Sequence, residues 1–302
     1  MRGFFQPKGF SFQDFDLLAE GDTLYVAYLK KISKKISDPN AHFPNRFGLI
    51  KSTDGVTWEN EGDILLPTPN SWEETLWAGN LTKQDGQFVI YYTGTTKTGR
   101  HNACQWGKAY SPDMVHWEKD KNNPLFSFEK DNPFYSDEPN LAFRDPFPFE
   151  YEGKRYILFC AKDKRQPQNQ RGCVGFAQET PNGLVWKEPL FSPGTYKDGL
   201  ENPALYELEG RWYLLYGVDV ENGETAFHYA VAKTPLGPFD TFEDNQLLSS
   251  GNYNCRIVIF KGKQLLYHWT RDFADELIRE RLAPPQEVRI LPDGRISLVD
   301  IT

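Results

Sequence analysis

The chain has 302 residues, 39% of them hydrophobic and 15% aromatic, with a net charge of −8 and a pI near 5.3. That acidic balance argues against a nucleic-acid partner, because neutralising phosphates needs a surplus of Lys and Arg. No apolar run approaches the roughly 20 residues of a membrane span, and the opening MRGFFQPKGFSF lacks a signal-like apolar core, so the expectation is a cytoplasmic protein with no membrane partner.

Taken in chain order, one unit recurs five times. It is a Gly followed by an aromatic-rich strand: GDTLYVAY from Gly21, GQFVIYY from Gly86, GKRYILF from Gly153, GRWYLLY from Gly210 and GKQLLYHW from Gly262. Each copy reads as a turn and then a strand. A second element follows the first four copies: STDGVTW ending at Trp58, SPDMVHW at Trp117, TPNGLVW at Trp186 and TPLGPF at Phe239. Its Asp, Pro and Gly make a turn and its aromatic opens an outer strand. A period of about 50 to 70 residues suits a four-stranded propeller blade. The predicted fold is therefore all-β, a single five-bladed β-propeller domain over residues 1–302; two packed β-sandwiches are the alternative. Two long polar connections, Lys30 to Arg46 and Asp163 to Arg171, read as solvated loops. The segment DFADELIRERL, Asp272 to Leu282, is the one helix candidate and reads equally as a loop crossing the base. Cys104, Cys160, Cys173 and Cys255 form no CxxC pair, so they read as buried free thiols rather than zinc ligands.

Innermost strands of a propeller converge on a central channel, and the residues just before the five glycines should sit there. Blade one supplies QDFDLLAEG with Asp14 and Asp16, blade two LWAGNLTKQDG with Trp77 and Asn80, and blade three FRDPFPFEYEG with Arg144 and Asp145. Blade four supplies LENPALYELEG with Glu201 and Asn202, and blade five NYNCRIVIFKG with Asn254 and Arg256. Three blades thus place a carboxylate at nearly the same position. Charged groups are rarely sent into an apolar channel without a partner or a task. Glycosidic cleavage needs such a set: one carboxylic acid protonates the leaving oxygen, and one carboxylate attacks or activates water. Clustering acids away from water pushes their pKa values apart. Asp14, Asp145 and Glu201 are the catalytic candidates; Asp16, Trp77, Asn80, Trp106, Arg144 and Asn202 are the substrate-binding candidates. Alternation puts Asp14 and Asp16 on one strand face, so Asp16 competes with Asp14. Trp77 and Trp106 alike read more readily as core residues than as sugar platforms, and His268 as a core histidine; Arg256 reads equally as a partner for one of the acids and as half of an ordinary blade-five ion pair.

At these residues the sequence resembles the furanosidase superfamily of five-bladed propeller glycosidases. FRDP, Phe143 to Pro146, is similar to the Arg-Asp-Pro motif of glycoside hydrolase families 32 and 68, and WAGN, Trp77 to Asn80, to a family 32 segment. The Glu-x-Pro of Glu201 to Pro203 resembles the acid/base motif shared with families 43 and 62, while QDFDLL at the first blade resembles family 43 more. The resemblance implies Asp14 as nucleophile or base, Asp145 as transition-state stabiliser and Glu201 as general acid. It implies a glycoside hydrolase acting on a small-molecule or oligosaccharide substrate, with no required cofactor, no metal among the site residues, and room for a structural ion in the channel. A retaining β-fructofuranosidase is the first expectation. An inverting family 43-like α-L-arabinofuranosidase or β-xylosidase is the alternative, and a non-catalytic sugar-binding propeller the third reading.

Overall fold

A computed structural model describes residues 3–32, 45–96, 104–126, 132–136, 143–219, 225–272 and 279–301. Five antiparallel sheets follow one another along the chain. Blade one holds β1 (Phe10–Glu20), β2 (Thr23–Ile32), β3 (Arg46–Ser52) and β4 (Glu59–Leu65); blade two holds β5 (Thr75–Gln84), β6 (Gln87–Thr95), β7 (Gln105–Ser111) and β8 (Glu118–Lys119). Blade three holds β9 (Arg144–Tyr151), β10 (Lys154–Lys162), β11 (Gly172–Thr180) and β12 (Gly183–Trp186); blade four holds β13 (Glu201–Leu208), β14 (Arg211–Asp219), β15 (Thr225–Ala232) and β16 (Gln246–Leu248). Blade five runs β17 (Asn252–Phe260), β18 (Lys263–Asp272), β20 (Gln286–Ile290) and β21 (Ile296–Asp300), with β19 (Arg279–Leu282) paired to β18. Strands β1, β5, β9, β13 and β17 pack against one another in sequence, and β17 returns to β1, which closes the ring. This is the five-bladed propeller predicted from the repeat.

The helix candidate is corrected in part. Arg279–Leu282 forms a strand, because its backbone pairs with Trp269–Asp272 of β18; residues 273–278 lie outside the described residues. Most of the Lys30 to Arg46 connection lies outside them too. The Asp163 to Arg171 connection contains the one helical turn among the described residues, Gln168–Gln170. The four cysteines are buried and free.

The repeated glycines work as turn residues. In blades two to five, β-hairpins close through Asp85-Gly86, Glu152-Gly153, Glu209-Gly210 and Lys261-Gly262, with both residues at positive φ. That geometry matches the twist of the flanking strands, and a Gly at the second position adopts it without strain. Blade one differs: Gly21 is the first turn residue and Asp22 the second. The outer motif works through its Asp. Asp54 Oδ1 accepts the N–H groups of Val56 and Thr57, and Asp113 Oδ1 those of Val115 and His116. The ring closes on apolar packing and backbone pairing between its ends. Phe5 exchanges hydrogen bonds with Leu282, and the Tyr267 hydroxyl of blade five donates to Gly55 O of blade one at 2.9 Å.

Candidate active site

Counting eight residues back from the second turn residue of each hairpin gives Asp14, Ala78, Asp145, Asn202 and Asn254. In all five blades the pairing of the inner strand with its neighbour is irregular at this point. A bulge bends the strand and re-aims a side chain. Asp145, Asn202 and Asn254 take positive φ values of 61°, 47° and 45° there, conformations that non-glycine residues adopt at some cost and that collect at functional sites. The backbone of the Asp145 bulge is fixed from blade two, since its N–H donates to Thr93 Oγ1 at 2.9 Å.

One residue earlier stand Gln13, Trp77, Arg144, Glu201 and Tyr253. Asp14 and Asp145 are therefore true equivalents, while Glu201 lies one position closer to the channel mouth. This upper tier is one connected group. The Arg144 guanidinium donates to Glu201 Oε1, and its Nε lies 3.4 Å from Asp145 Oδ2. The Tyr253 hydroxyl donates to Glu201 Oε2. Asn202 joins the two aspartates: its backbone N–H donates to Asp145 Oδ2 at 2.9 Å and its side-chain amide to Asp14 Oδ1 at 3.4 Å. The Trp269 indole also reaches Asp14 Oδ1 at 3.4 Å. Asp145 and Arg144 are buried, whereas Asp14 and Glu201 keep partial exposure.

Burial, followed by the charges of Asp145 and Glu201, pushes Asp14 from 3.8 up to about 7. Burial also lifts Asp145 to about 6; Glu201 adds to the rise and the Arg144 guanidinium opposes it. Asp14 thus has two weak donors and two negative neighbours, and it titrates in the range where a catalytic base works.

Two residues below the bulges lies a second tier, with Asp16, Asn80 and Arg256. Arg256 Nε sits 3.3 Å from Asp16 Oδ1, the Asn80 amide donates to Asp16 Oδ2, and Leu81 N–H donates to the same oxygen at 2.8 Å. All three side chains are buried. Asp16 is raised to about 6 by burial, against the pull of Arg256. The structure therefore separates Asp14 from Asp16: Asp14 joins the other acids, and Asp16 is tied to Arg256 and Asn80 beneath them. The expectation that Asp16 and Asn80 contact substrate gives way to this mutual pairing.

Trp106 is corrected as well. It is wholly buried, its indole donates to Phe143 O at 3.0 Å, and its ring meets those of Phe126, Phe159 and Trp186 edge-on or tilted. It packs the junction of blades two and three instead of facing a sugar. Trp77 stays half-buried in the upper tier. His268 alternates with Trp269 on β18 and so faces away from Asp14; it lines a separate cavity of about 420 Å³ with Phe4, Asn252 and Thr270. Tyr253 and Trp269 were not singled out from the sequence. Tyr253 was findable, since it holds the same hairpin-relative position as Arg144 and Glu201. No group of three or more metal-ligating side chains occurs among the described residues.

A five-bladed propeller with three acids from blades one, three and four around its channel mouth has the architecture of a glycosidase. Comparison with known proteins agrees. The family model of glycosyl hydrolases family 43 matches residues 12–265, and the chain belongs to that family. It is similar to a β-xylosidase of Bacillus subtilis (strain 168), 25% identical over 180 residues that cover 58% of this chain and 31% of that protein. Among solved structures it is similar to a thermostable family-43 glycoside hydrolase, with a TM-score of 0.74, 19% identity, and coverage of 97% of this chain and 94% of that one. It is equally similar to a family 32 β-fructofuranosidase of Bombyx mori, with a TM-score of 0.74, 19% identity, and coverage of 100% and 65%. These two structural likenesses establish the shared fold.

Proposed function

We propose that the protein hydrolyses a terminal pentoside, an α-L-arabinofuranoside or β-xyloside, by inversion. Glu201 gives its proton to the leaving oxygen. Asp14 takes a proton from the attacking water, and Asp145, held by Arg144 and Asn202, steadies the positive charge that develops on the sugar. Trp77 offers an aromatic face to the ring. The observation that carries this reading is the convergence of three acids from three blades on one connected group, in which Asp14 is raised to about 7 by burial and by its two acidic neighbours. The family match favours a pentoside over the fructoside expected first. One feature keeps the fructoside as a second reading: Arg144, in the FRDP segment that resembles families 32 and 68, contacts both Asp145 and Glu201.

The test is to follow the first product anomer by proton NMR with aryl α-L-arabinofuranoside, aryl β-xyloside and a β-fructoside. Inversion on a pentoside is expected. Release of fructose with retention supports the β-fructofuranosidase reading instead, and a sugar that stays intact with wild-type protein defeats both. The two stereochemical courses need different carboxyl separations, about 5 to 5.5 Å for retention and about 6.5 to 9.5 Å for inversion.

A further inference from the structure

Blade five brings no acid to the channel mouth, yet it brings a donor to two of the acids there. The Trp269 indole reaches Asp14, and the Tyr253 hydroxyl reaches Glu201. The second contact is built from both sides. Tyr253 is 4% exposed, and its ring is fixed between Phe227 of blade four, edge-on at 5.4 Å, and Trp269, tilted at 5.6 Å. Its hydroxyl lies against Gly217, the residue of β14 that pairs with Glu201. A Cβ on Gly217 would collide with Tyr253, whose hydroxyl and ring supply all three of the nearest atoms. Gly217 does not take a positive φ, so it is the hydroxyl, not backbone strain, that a side chain would meet. Gly48, Gly107 and Gly175 also make room for rings, but those rings, of Tyr28, Tyr92 and Phe159, belong to their own blades. At Gly217 the ring crosses from the next blade and ends on a carboxylate.

We propose that Tyr253 is a positioning residue for the general acid, and that Gly217 is the slot that admits it. This role rests on Glu201 as the acid of the proposed reaction. In that step the Glu201 proton passes to the glycosidic oxygen, the electron pair of the broken C–O bond leaves with that oxygen, and Glu201 is left as a carboxylate. Arg144 donates to Oε1 of Glu201 and Tyr253 to Oε2. One donor on each oxygen fixes the plane of the carboxyl and still leaves a second lone pair on each for the proton to be delivered. The two donors differ in kind. Arg144 carries a permanent charge and also faces Asp145. The Tyr253 hydroxyl is neutral and can donate or accept, so it accompanies Glu201 in either form. Its bond strengthens as negative charge appears on the carboxylate, which favours release of the proton. An interaction that is stronger in the transition state than before it raises the rate. Tyr253 keeps its own proton throughout.

Two variants test this from opposite sides of the contact. Tyr253→Phe removes the hydroxyl and keeps the ring, and Gly217→Ala closes the slot and keeps the tyrosine. In both, Glu201 loses a donor and becomes a weaker acid. The alkaline limb of kcat/KM should move up by about one pH unit, a tenfold change in acid strength. Turnover should fall about tenfold on an aryl pentoside with a poor leaving group, and stay near wild type on the 2,4-dinitrophenyl pentoside, which needs no proton. A merely structural role would slow both substrates alike and leave the pH profile in place, and that result overturns the proposal. A reading without turnover comes from protein labelled with carbon-13 at the glutamate carboxyls. The signal that Glu201→Gln removes should titrate about one unit higher in Tyr253→Phe; a signal that does not move refutes the role of Tyr253. Glu201→Gln also separates the two levels of failure. If it shows no leaving-group dependence, Glu201 is not the acid and the proposal falls with that reading. If it does, and Tyr253→Phe titrates and turns over as the wild type, the role of Tyr253 alone is lost. Should Gly217→Ala fail to fold, Tyr253→Phe decides.

Discussion

The two tiers of the channel contain the same chemical group in opposite circumstances. In the lower tier Asp16 meets one guanidinium, one amide and one backbone N–H. In the upper tier three acids, Asp14, Asp145 and Glu201, stand together, and the Arg144 guanidinium contacts only the latter two. Asp14 is left with two contacts of 3.4 Å. Each tier holds a buried acid, Asp16 below and Asp145 above, so burial alone does not mark a reactive acid; the shortage of compensating cations does. The lower tier reads as a plug that holds β1 against β5 and β17, and the upper tier as a set of acids under mutual tension.

That contrast can be broken by exchanging one acid in each tier. Asp14→Asn should cost the most, on the order of 10³-fold or more in kcat, because it removes the base; steady-state kinetics on an aryl pentoside will show it. The wild type should lose kcat/KM as pH falls below about 7, the range to which Asp14 is raised in the free protein. Asp16→Asn should do the reverse. It strands the Arg256 charge and should cost about 3 kcal/mol of stability, read as a lowered Tm, while kcat falls by less than about tenfold.

A smaller effect sharpens the same comparison. The folded-state pKa of Asp14 is raised above its ordinary 3.8, so its contribution favours the fold fully below about pH 4 and is lost as pH rises through about 7. Asp14→Asn should therefore be more stable than wild type at pH 8, by on the order of 1 to 3 kcal/mol, and should match it near pH 4. Thermal melts at the two pH values check both halves. Smallest of all, Trp106→Phe should lose about 1 to 2 kcal/mol from the indole hydrogen bond and trimmed packing, with kinetics unchanged. A KM shift in that variant would return Trp106 to the sugar site.

The fold was legible because hairpin turns leave a chemical trace. Positive φ at a two-residue turn favours Gly, and five such glycines ahead of aromatic strands reveal five blades. The meeting of Asp14, Asp145 and Glu201 was legible in outline for the same reason, since the turns index the channel positions. Its finer geometry was blurred by a single detail: Gly21 leads its turn while the other four glycines trail theirs. Counting from the glycines alone spreads the acids over three positions; counting from the turns puts Asp14 level with Asp145 and Glu201 one residue above. Trp106 was left open between core and sugar site because an aromatic on a strand carries no mark of which blade face it occupies. The pairing of Asp16 with Arg256, 240 residues later in the chain, depends on ring closure and has no local signature.

The most direct test of the division of labour among the upper acids is leaving-group dependence. Aryl pentosides with activated and poor leaving groups should be compared in wild type, Glu201→Gln and Asp14→Asn. Glu201→Gln should approach wild-type turnover with a 2,4-dinitrophenyl leaving group, which needs no protonation, and collapse with a poor one, while Asp14→Asn stays slow on both. If the two variants decline alike on every substrate, or if neither declines, the account of Glu201 as acid and Asp14 as base is contradicted.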